Sequence, residues 1–330
     1  MTTIVLRKTA AWTLFASLSL PLISGPAHSQ TDFPNRRIHM VVPYPAGGIV
    51  DIVTRIVTNK LSELWSQPIV VEAKPGASGN LAWDQVSRAE PNGYTWTFVG
   101  PGTMANPRMQ TNLRWSEKSF VPVGVVVWAP SALVVHPSLP VTTVSEFVDY
   151  IRKRPHMLNW ALSGIGTSQH LNAAYFLTAT KLDMVAVPYS GQPPAIVDLM
   201  ANRVHFMVAS IGLVAQHIHS GALKPLAVLG TTRSPLLPNV PTVSEAGYPD
   251  VNLVPWYGYG VPRGTPQPVI DKIVAGFNAV LKMPKVREAL EKQALQPVDS
   301  MTASELAELY ARDAEKYANI VRRAGIVLPD

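Results

Sequence analysis

A short apolar strand running through a glycine-rich turn into an amphipathic helix recurs along this chain, and no other feature constrains the fold as much. The first instance is Ile38 to Pro43, then Tyr44-Pro45-Ala46-Gly47-Gly48, then a helix with apolar residues at Ile49, Ile52, Val53, Ile56, Val57, Leu61 and Leu64. That spacing is helical. Strand signals follow at 68–72, 94–99 and 121–139, the last broken by Pro130 and Pro137, with a helix reaching Ala89 before Pro91-Asn92-Gly93. A second set starts at 144–154, where Thr143 is placed as N-cap and Glu146 at N3 of a capping box. It continues as strand 158–161, helix 168–178, strand 184–187, helix 194–201, strand 204–209, helix 213–219 and strand 225–229. Residues 257–261 read as a strand that returns to the first set, and helices at 268–283 and 303–323 close the chain. The alternation predicts an α/β fold. Each of two lobes is expected to be a mainly parallel sheet flanked by helices, with 30–132 and 257–330 in lobe 1 and 133–256 in lobe 2. No long linker separates the two sets, so the lobes are expected to be joined by hinge strands.

Two of the turns carry the chemistry. A helix N-terminus exposes backbone N–H groups and the positive end of the helix dipole, which favours anions. At Ala46, Gly47, Gly48 and Ile49, with Asp51 just inside the helix, glycine leaves the main chain open to a ligand. At Gly164-Ile165-Gly166-Thr167-Ser168-Gln169-His170, Thr167 and Ser168 add hydroxyl donors to the bare amide of Gly166. Ser78, Gly79 and Asn80 form a third turn of the same type. The structural alternative is open at each: an ordinary strand-to-helix turn, or a Thr or Ser N-cap. His170 is either a hydrogen-bond donor to a ligand or a satisfied helix residue.

Several function classes are excluded or disfavoured. No Gly-Lys-Ser/Thr follows the glycines, so there is no Walker loop, and no G-x-G-x-x-G marks a dinucleotide site. No G-x-S-x-G elbow surrounds any serine, and Ser168 and His170, two apart on a helix, do not face each other. His217 and His219 have the same spacing, H-E-x-x-H is absent, and there is no cysteine. The expectation is therefore no enzyme activity, no metal and no cofactor. Basic runs such as Arg152-Lys153-Arg154 sit at helix ends and complement dipoles, so no nucleic-acid partner is expected.

The first 29 residues read as a secretory leader: Arg7 and Lys8, an apolar run from Ala10 to Ile23, then Ala27-His28-Ser29 before Gln30. The formal charge is +6, and setting Arg7 and Lys8 aside leaves +4 on the mature chain. A mildly positive field helps collect anionic ligands.

The chain resembles the Bug family, the TctC-like periplasmic solute receptors of tripartite tricarboxylate transporters. The resemblance runs from about Phe33 to Ile326. It rests on Pro43-Tyr44-Pro45-Ala46-Gly47-Gly48 with Asp51, on 71–80 and on Pro91-Asn92-Gly93-Tyr94-Thr95. Further blocks are 164–171, Val187-Pro188-Tyr189-Ser190-Gly191, Leu226-Ala227-Val228 and 238–247. It implies a Venus-flytrap receptor whose lobes close over one carboxylated solute, gripped by the loops 46–51 and 164–170. Tyr189 and Ser210 complete the candidate ligand set. The implied partners are a small organic carboxylate and membrane permease subunits, or a sensor kinase if the role is signalling. Ile49-Val50 depart from the Gly or Ser, then Thr, often found in the family after the paired glycines. That departure, with Trp83, Trp160, Trp256, Tyr189 and Tyr257 near the expected cleft or hinge, points to a ligand with an apolar body. An aromatic mono- or dicarboxylate is expected rather than citrate.

Overall fold

The computed structural model describes Met1, Thr2 and residues 33–230, 232–251 and 253–326. The expected leader therefore lies, beyond Met1 and Thr2, outside the described residues. No helix among them is long and apolar enough to cross a membrane.

The first lobe is built on strands β1 (Ile38–Val42), β2 (Ile69–Ala73), β3 (Thr95–Val99) and β4 (Phe120–Trp128). Its helices are α1 (Ile49–Trp65), α2 (Asn80–Ser87) and α3 (Pro101–Met109). The chain then crosses to β5 (Ser131–Val135), α4 (Val144–Arg152), β6 (Asn159–Ser163), α5 (Ser168–Thr180), β7 (Val185–Tyr189), α6 (Gln192–Met200), β8 (Phe206–Ser210), α7 (Ile211–His219) and β9 (Lys224–Leu229). It returns through β10 (Trp256–Pro262), α8 (Gln267–Leu281), α9 (Pro284–Glu291), the short β11 (Gln296–Pro297) and α10 (Ala303–Ala324).

The first sheet has the order β11-β4-β10-β3-β1-β2 and the second β7-β6-β8-β5-β9. Both are mixed, which corrects the expectation of mainly parallel sheets. In the first, β1 is parallel to β2 and β3, but β10 is antiparallel to β3 and β4, and β11 to β4. In the second, β6 is parallel to β7 and β8, but β5 is antiparallel to β8 and β9. The cause is the crossover. The chain leaves the first lobe along β4 and returns along β10, so those neighbours must run in opposite directions, and β5 enters the second sheet against its βαβ units. The two crossings lie side by side: Trp256 pairs with Trp128, and the Ala129 N–H donates to the Pro255 carbonyl at 2.8 Å.

Packing gives each sheet its own core, and α5 of the second lobe also reaches the first: Leu171 is buried in the first-lobe cluster and Tyr175 packs against it. One large cluster joins α1, α8 and α10 to the first sheet, with Trp83, Trp96, Trp256, Tyr259 and Phe277 fully buried. The second sheet carries a cluster on each face, around Phe147, Phe176 and Phe206 on one side and Ile196, Met207 and Val214 on the other. The expected capping box of α4 is present: Thr143 accepts from the Glu146 N–H at 3.1 Å, and the Glu146 carboxylate accepts from the Thr143 N–H at 3.2 Å.

Candidate functional site

The loops that follow β1, β3, β6 and β7 meet where the two lobes face each other. There they enclose a slot of about 40 Å³. Its first-lobe wall is Tyr44, Pro45, Gly48, Ile49, Val50, Phe98, Pro101 and Tyr257. Its second-lobe wall is Ser163, Thr167, Ser168, Gln169, Gly191, Gln192 and Pro193. The slot is far smaller than the ~300–1,000 Å³ of an ordinary ligand pocket, because the lobes touch across it. A Cβ on Gly191 would lie 3.4 Å from Pro45 of the other lobe, and one on Gly166 only 1.8 Å from Asn106 Oδ1.

Three helix N-termini supply the polar chemistry. At α1 the N-cap is Gly48, whose lack of a side chain leaves the helix uncapped, and the first-turn amides of Ile49 and Val50 have no intrahelical partner. At α5 the Thr167 hydroxyl caps the third helical amide, that of His170, at 3.2 Å, leaving the amides of Ser168 and Gln169. At α6 the N-cap is Gly191, again without a side-chain cap. Pro193 and Pro194 have no N–H, so only the Gln192 amide is offered there. α3 also begins at this wall, but Pro101 at its first position removes a donor and adds apolar surface.

Behind these amides lies a neutral hydrogen-bonded network. Gln169 Nε2 donates to Ser210 Oγ at 3.1 Å and to the Tyr257 hydroxyl at 3.3 Å, and Ser168 Oγ donates to Gln169 Oε1 at 3.1 Å. Gln192 Nε2 donates to Ser210 Oγ at 3.0 Å, and Gln192 Oε1 accepts from the Ser210 N–H at 2.7 Å. Burial pushes the Tyr44 and Tyr257 hydroxyls above the ordinary tyrosine range, so both stay protonated. Among the described residues, no charged side chain lines the slot. An anion here would meet amides, hydroxyls and dipoles rather than a cation.

The expected site residues divide into three groups. Gly48, Ile49, Thr167 and Ser168 line the slot, while Ala46 and Gly47 are exposed at the tip of the same loop. A supporting group stands one step back. Asp51 is buried; its Oδ2 accepts from the Gly47 N–H at 3.1 Å, and Arg55 Nε pairs with it at 3.0 Å. Asp51, expected among the ligand-binding residues, instead shapes the loop and does not line the slot; a carboxylate there would repel an anion. His170 Nδ1 accepts from the Gly166 N–H at 3.1 Å, and its ring stacks on Trp160. Burial pushes the imidazole down to about 4, so it is neutral at physiological pH. Ser210 is held within the network. The carbonyl of Ser78 and Oδ1 of Asn80 both accept from Asn106 Nδ2, at 2.9 and 3.1 Å, which places Asn106 against Gly166. Gly79, at φ +89, packs on Trp83 and Pro43. The third group is Tyr189 alone: its hydroxyl donates to Asp198 at 2.8 Å, and it does not line the slot.

Of the expected aromatics, Tyr257 lines the slot, whereas Trp83 and Trp256 are core residues and Trp160 lies beneath His170. Sequence reading missed Tyr44, Phe98, Pro101, Ser163, Gln169, Gln192 and Pro193 as lining residues. Gly191-Gln192-Pro193, with proline just inside a helix start, carried a usable signal. Phe98 and Ser163, at strand ends, carried none.

The family model described as "Tripartite tricarboxylate transporter family receptor" matches residues 53–326. The chain is similar to the solved structure of the periplasmic binding protein BugD, with a TM-score of 0.83 and 30% identity over 89% of this chain and 99% of that one. It is also similar to a Rhodopseudomonas palustris protein solved with adipate, with a TM-score of 0.84 and 31% identity over 90% of this chain and 99% of that one. MatC of Rhodopseudomonas palustris, solved with malate, matches with a TM-score of 0.82 and 30% identity, over 88% of this chain and 100% of that one.

Proposed function

The chain belongs to the tripartite tricarboxylate transporter receptor family of periplasmic solute-binding proteins, and from that premise we propose that it captures a small organic carboxylate between its lobes for delivery to membrane permease subunits. The observation that carries the reading is the convergence of the α1, α5 and α6 N-termini on one neutral slot. The carboxylate takes the amides of Ile49 and Val50 from one lobe and those of Ser168, Gln169 and Gln192 from the other. Hydrogen bonds to a charged group contribute about 1.5–3 kcal/mol each, so the five amides together offer roughly 8–15 kcal/mol against the cost of association without any cation.

The moving bodies are the described residues of 33–129 with 256–326, and those of 131–254, turning about the paired crossings at Ala129 and Pro255; the expected boundaries at 132/133 and 256/257 shift to these crossings because β5 (Ser131–Val135) lies in the second sheet and β10 (Trp256–Pro262) in the first. A ligand that touches both bodies stabilises only their closed arrangement. The family is one of receptors, not of enzymes, and the neutral, pre-bonded network offers no general base. We place cleavage of the leader between Ser29 and Gln30, which leaves the mature receptor in the periplasm.

The apolar wall of Ile49, Val50, Phe98 and Pro101 suits a carboxylate with an apolar body. Aromatic mono- and dicarboxylates fit that description, and adipate, the ligand of a structural relative, shares it. Citrate would turn charged groups towards this wall. Titration calorimetry with benzoate, phthalate, adipate and citrate tests both levels. Binding of at least one apolar-bodied acid, more tightly than citrate, is expected. Tight citrate binding with no heat from the others overturns the ligand class, and no heat from any of the four overturns the carboxylate receptor.

A further inference from the structure

Besides the free helix amides, the slot holds one buried side-chain polar group with no partner among the described residues. Ser163 ends β6, is 2% exposed and lines the slot, yet its Oγ has no hydrogen-bond partner. Its polar neighbours are committed elsewhere. Thr167 Oγ1 donates to the Gly164 carbonyl at 2.7 Å and accepts from the His170 N–H. Ser168, Gln169 and Gln192 bond within the network that holds Ser210 and Tyr257. A buried hydroxyl left without a partner in a native structure calls for an explanation, and a group that arrives with the ligand supplies one. The carboxylate itself is served by helix amides, which stand beyond the Gly164–Gly166 turn from Ser163. Across the slot, Ile49, Val50, Phe98 and Pro101 bring no side-chain donor, and the Tyr257 hydroxyl is held by Gln169; the Tyr44 hydroxyl serves a substituent that faces its own wall, whereas one that faces the end of β6 meets Ser163.

We propose that Ser163 binds a single hydroxyl or oxo substituent on the body of the solute, and so selects carboxylates that carry one over their unsubstituted analogues. This rests on the receptor reading above. A site with a buried polar group rejects the ligand that leaves it unpaired far more strongly than an apolar site rejects a missing methylene. The hydroxyl can donate to an oxo group, or donate to and accept from a hydroxyl.

The test uses two matched pairs, succinate with malate and benzoate with 3-hydroxybenzoate, titrated calorimetrically into the full mature chain and into Ser163→Ala. In at least one pair the hydroxylated acid should bind the native protein about tenfold or more tightly than its partner. In Ser163→Ala that ratio should fall below about threefold, because affinity for the hydroxylated acid falls and that for the unsubstituted acid holds or rises once no hydroxyl is left unpaired. The unliganded melting temperature of Ser163→Ala should not fall, since the variant deletes an unsatisfied buried group, and this reading separates misfolding from lost selection. Acids that bind with no hydroxyl preference, or with one that survives Ser163→Ala, overturn the proposal and leave the receptor standing. No heat from these four acids, when phthalate, adipate or citrate gives heat, overturns the proposal alone; no heat from any of the seven overturns the receptor reading, and the proposal falls with it.

Discussion

At the scale of single residues, His170 shows how a titratable group at an anion site serves without charge. Its Nδ1 accepts from the Gly166 N–H and so fixes the glycine loop, while burial holds the imidazole at about 4 against an ordinary value near 6.5. Between those values the unfolded chain binds a proton that the folded chain refuses. The stability tied to neutral His170 is therefore whole above pH 6.5 and drains as pH falls towards 4, at up to about 1.4 kcal/mol per pH unit. Burial also lowers His205, which adds loss in the same window. Glu117, Glu146 and Glu245 are held below the usual carboxylate value by their hydrogen-bond partners and act at lower pH. The informative quantity is thus a difference. From pH 7 to pH 5 the native protein should lose about 2 kcal/mol more unfolding free energy than His170→Asn, measured by urea denaturation at each pH. Parallel losses in the two proteins would show that His170 does not titrate on unfolding as its burial requires.

Elements set where the amides point, and α1 is the clearest case because it goes uncapped. A side-chain oxygen at N-cap satisfies a first-turn amide; Gly48 supplies none, so those amides remain for a ligand. Gly48 has φ −75 and ψ 163, a conformation any residue adopts, and a Cβ there would press on the Pro45 carbonyl at 3.3 Å. Gly48→Asp should cap α1, change the unliganded melting temperature by less than about 2 °C, and abolish the shift produced by any acid that stabilises the native protein. Gly48→Ala, which adds bulk without charge, should retain at least part of that shift. An undiminished shift in Gly48→Asp would remove α1 from the binding site. This arrangement of elements was only partly legible in the sequence. The strand–glycine–helix units at Gly48 and Gly166 announced themselves because periodicity and glycine agree there. α3 did not, since Gly100-Pro101-Gly102 reads as a loop and Pro107 interrupts the helix, which tertiary packing nonetheless holds. The parallel bias was misjudged because strand direction at β4, β5 and β10 depends on the crossover, a long-range property with no local signature. Asp51 reads as a ligand contact from its position beside the glycines; its i,i+4 spacing to Arg55 carried the signal for the ion pair, and only the bond to the Gly47 N–H needed three dimensions.

At the scale of the whole molecule the receptor works only if its lobes can meet, and that makes contacts remote from the slot part of its affinity. One such contact joins α7 of the second lobe to the turn after α9 in the first. Gly212 lies so close to Gln293 that an added Cβ would sit 2.4 Å from the Gln293 carbonyl. That neighbour is backbone, anchored by the Ala294 turn at φ +55, and it cannot swing aside as a side-chain tip would. Gly212 does not line the slot, and each sheet has its own core. Gly212→Val should therefore fold and leave every ligand-facing amide in place while wedging the lobes apart. Closure then costs free energy that ligand binding must supply, and apparent affinity falls by the fraction of molecules able to close. For whichever organic acid binds the native chain, the dissociation constant should rise about tenfold or more. Small-angle scattering at a subsaturating, equal acid concentration should show a larger radius of gyration than for the native protein, while the unliganded melting temperature stays within a few degrees. Unchanged affinity in a folded Gly212→Val protein would mean that the α7 contact is not made in the liganded state. Closure would then have to be carried by the remaining contacts between the lobes, at Pro45, Asn106, the Gln169–Tyr257 hydrogen bond and the packing of α5 on α10.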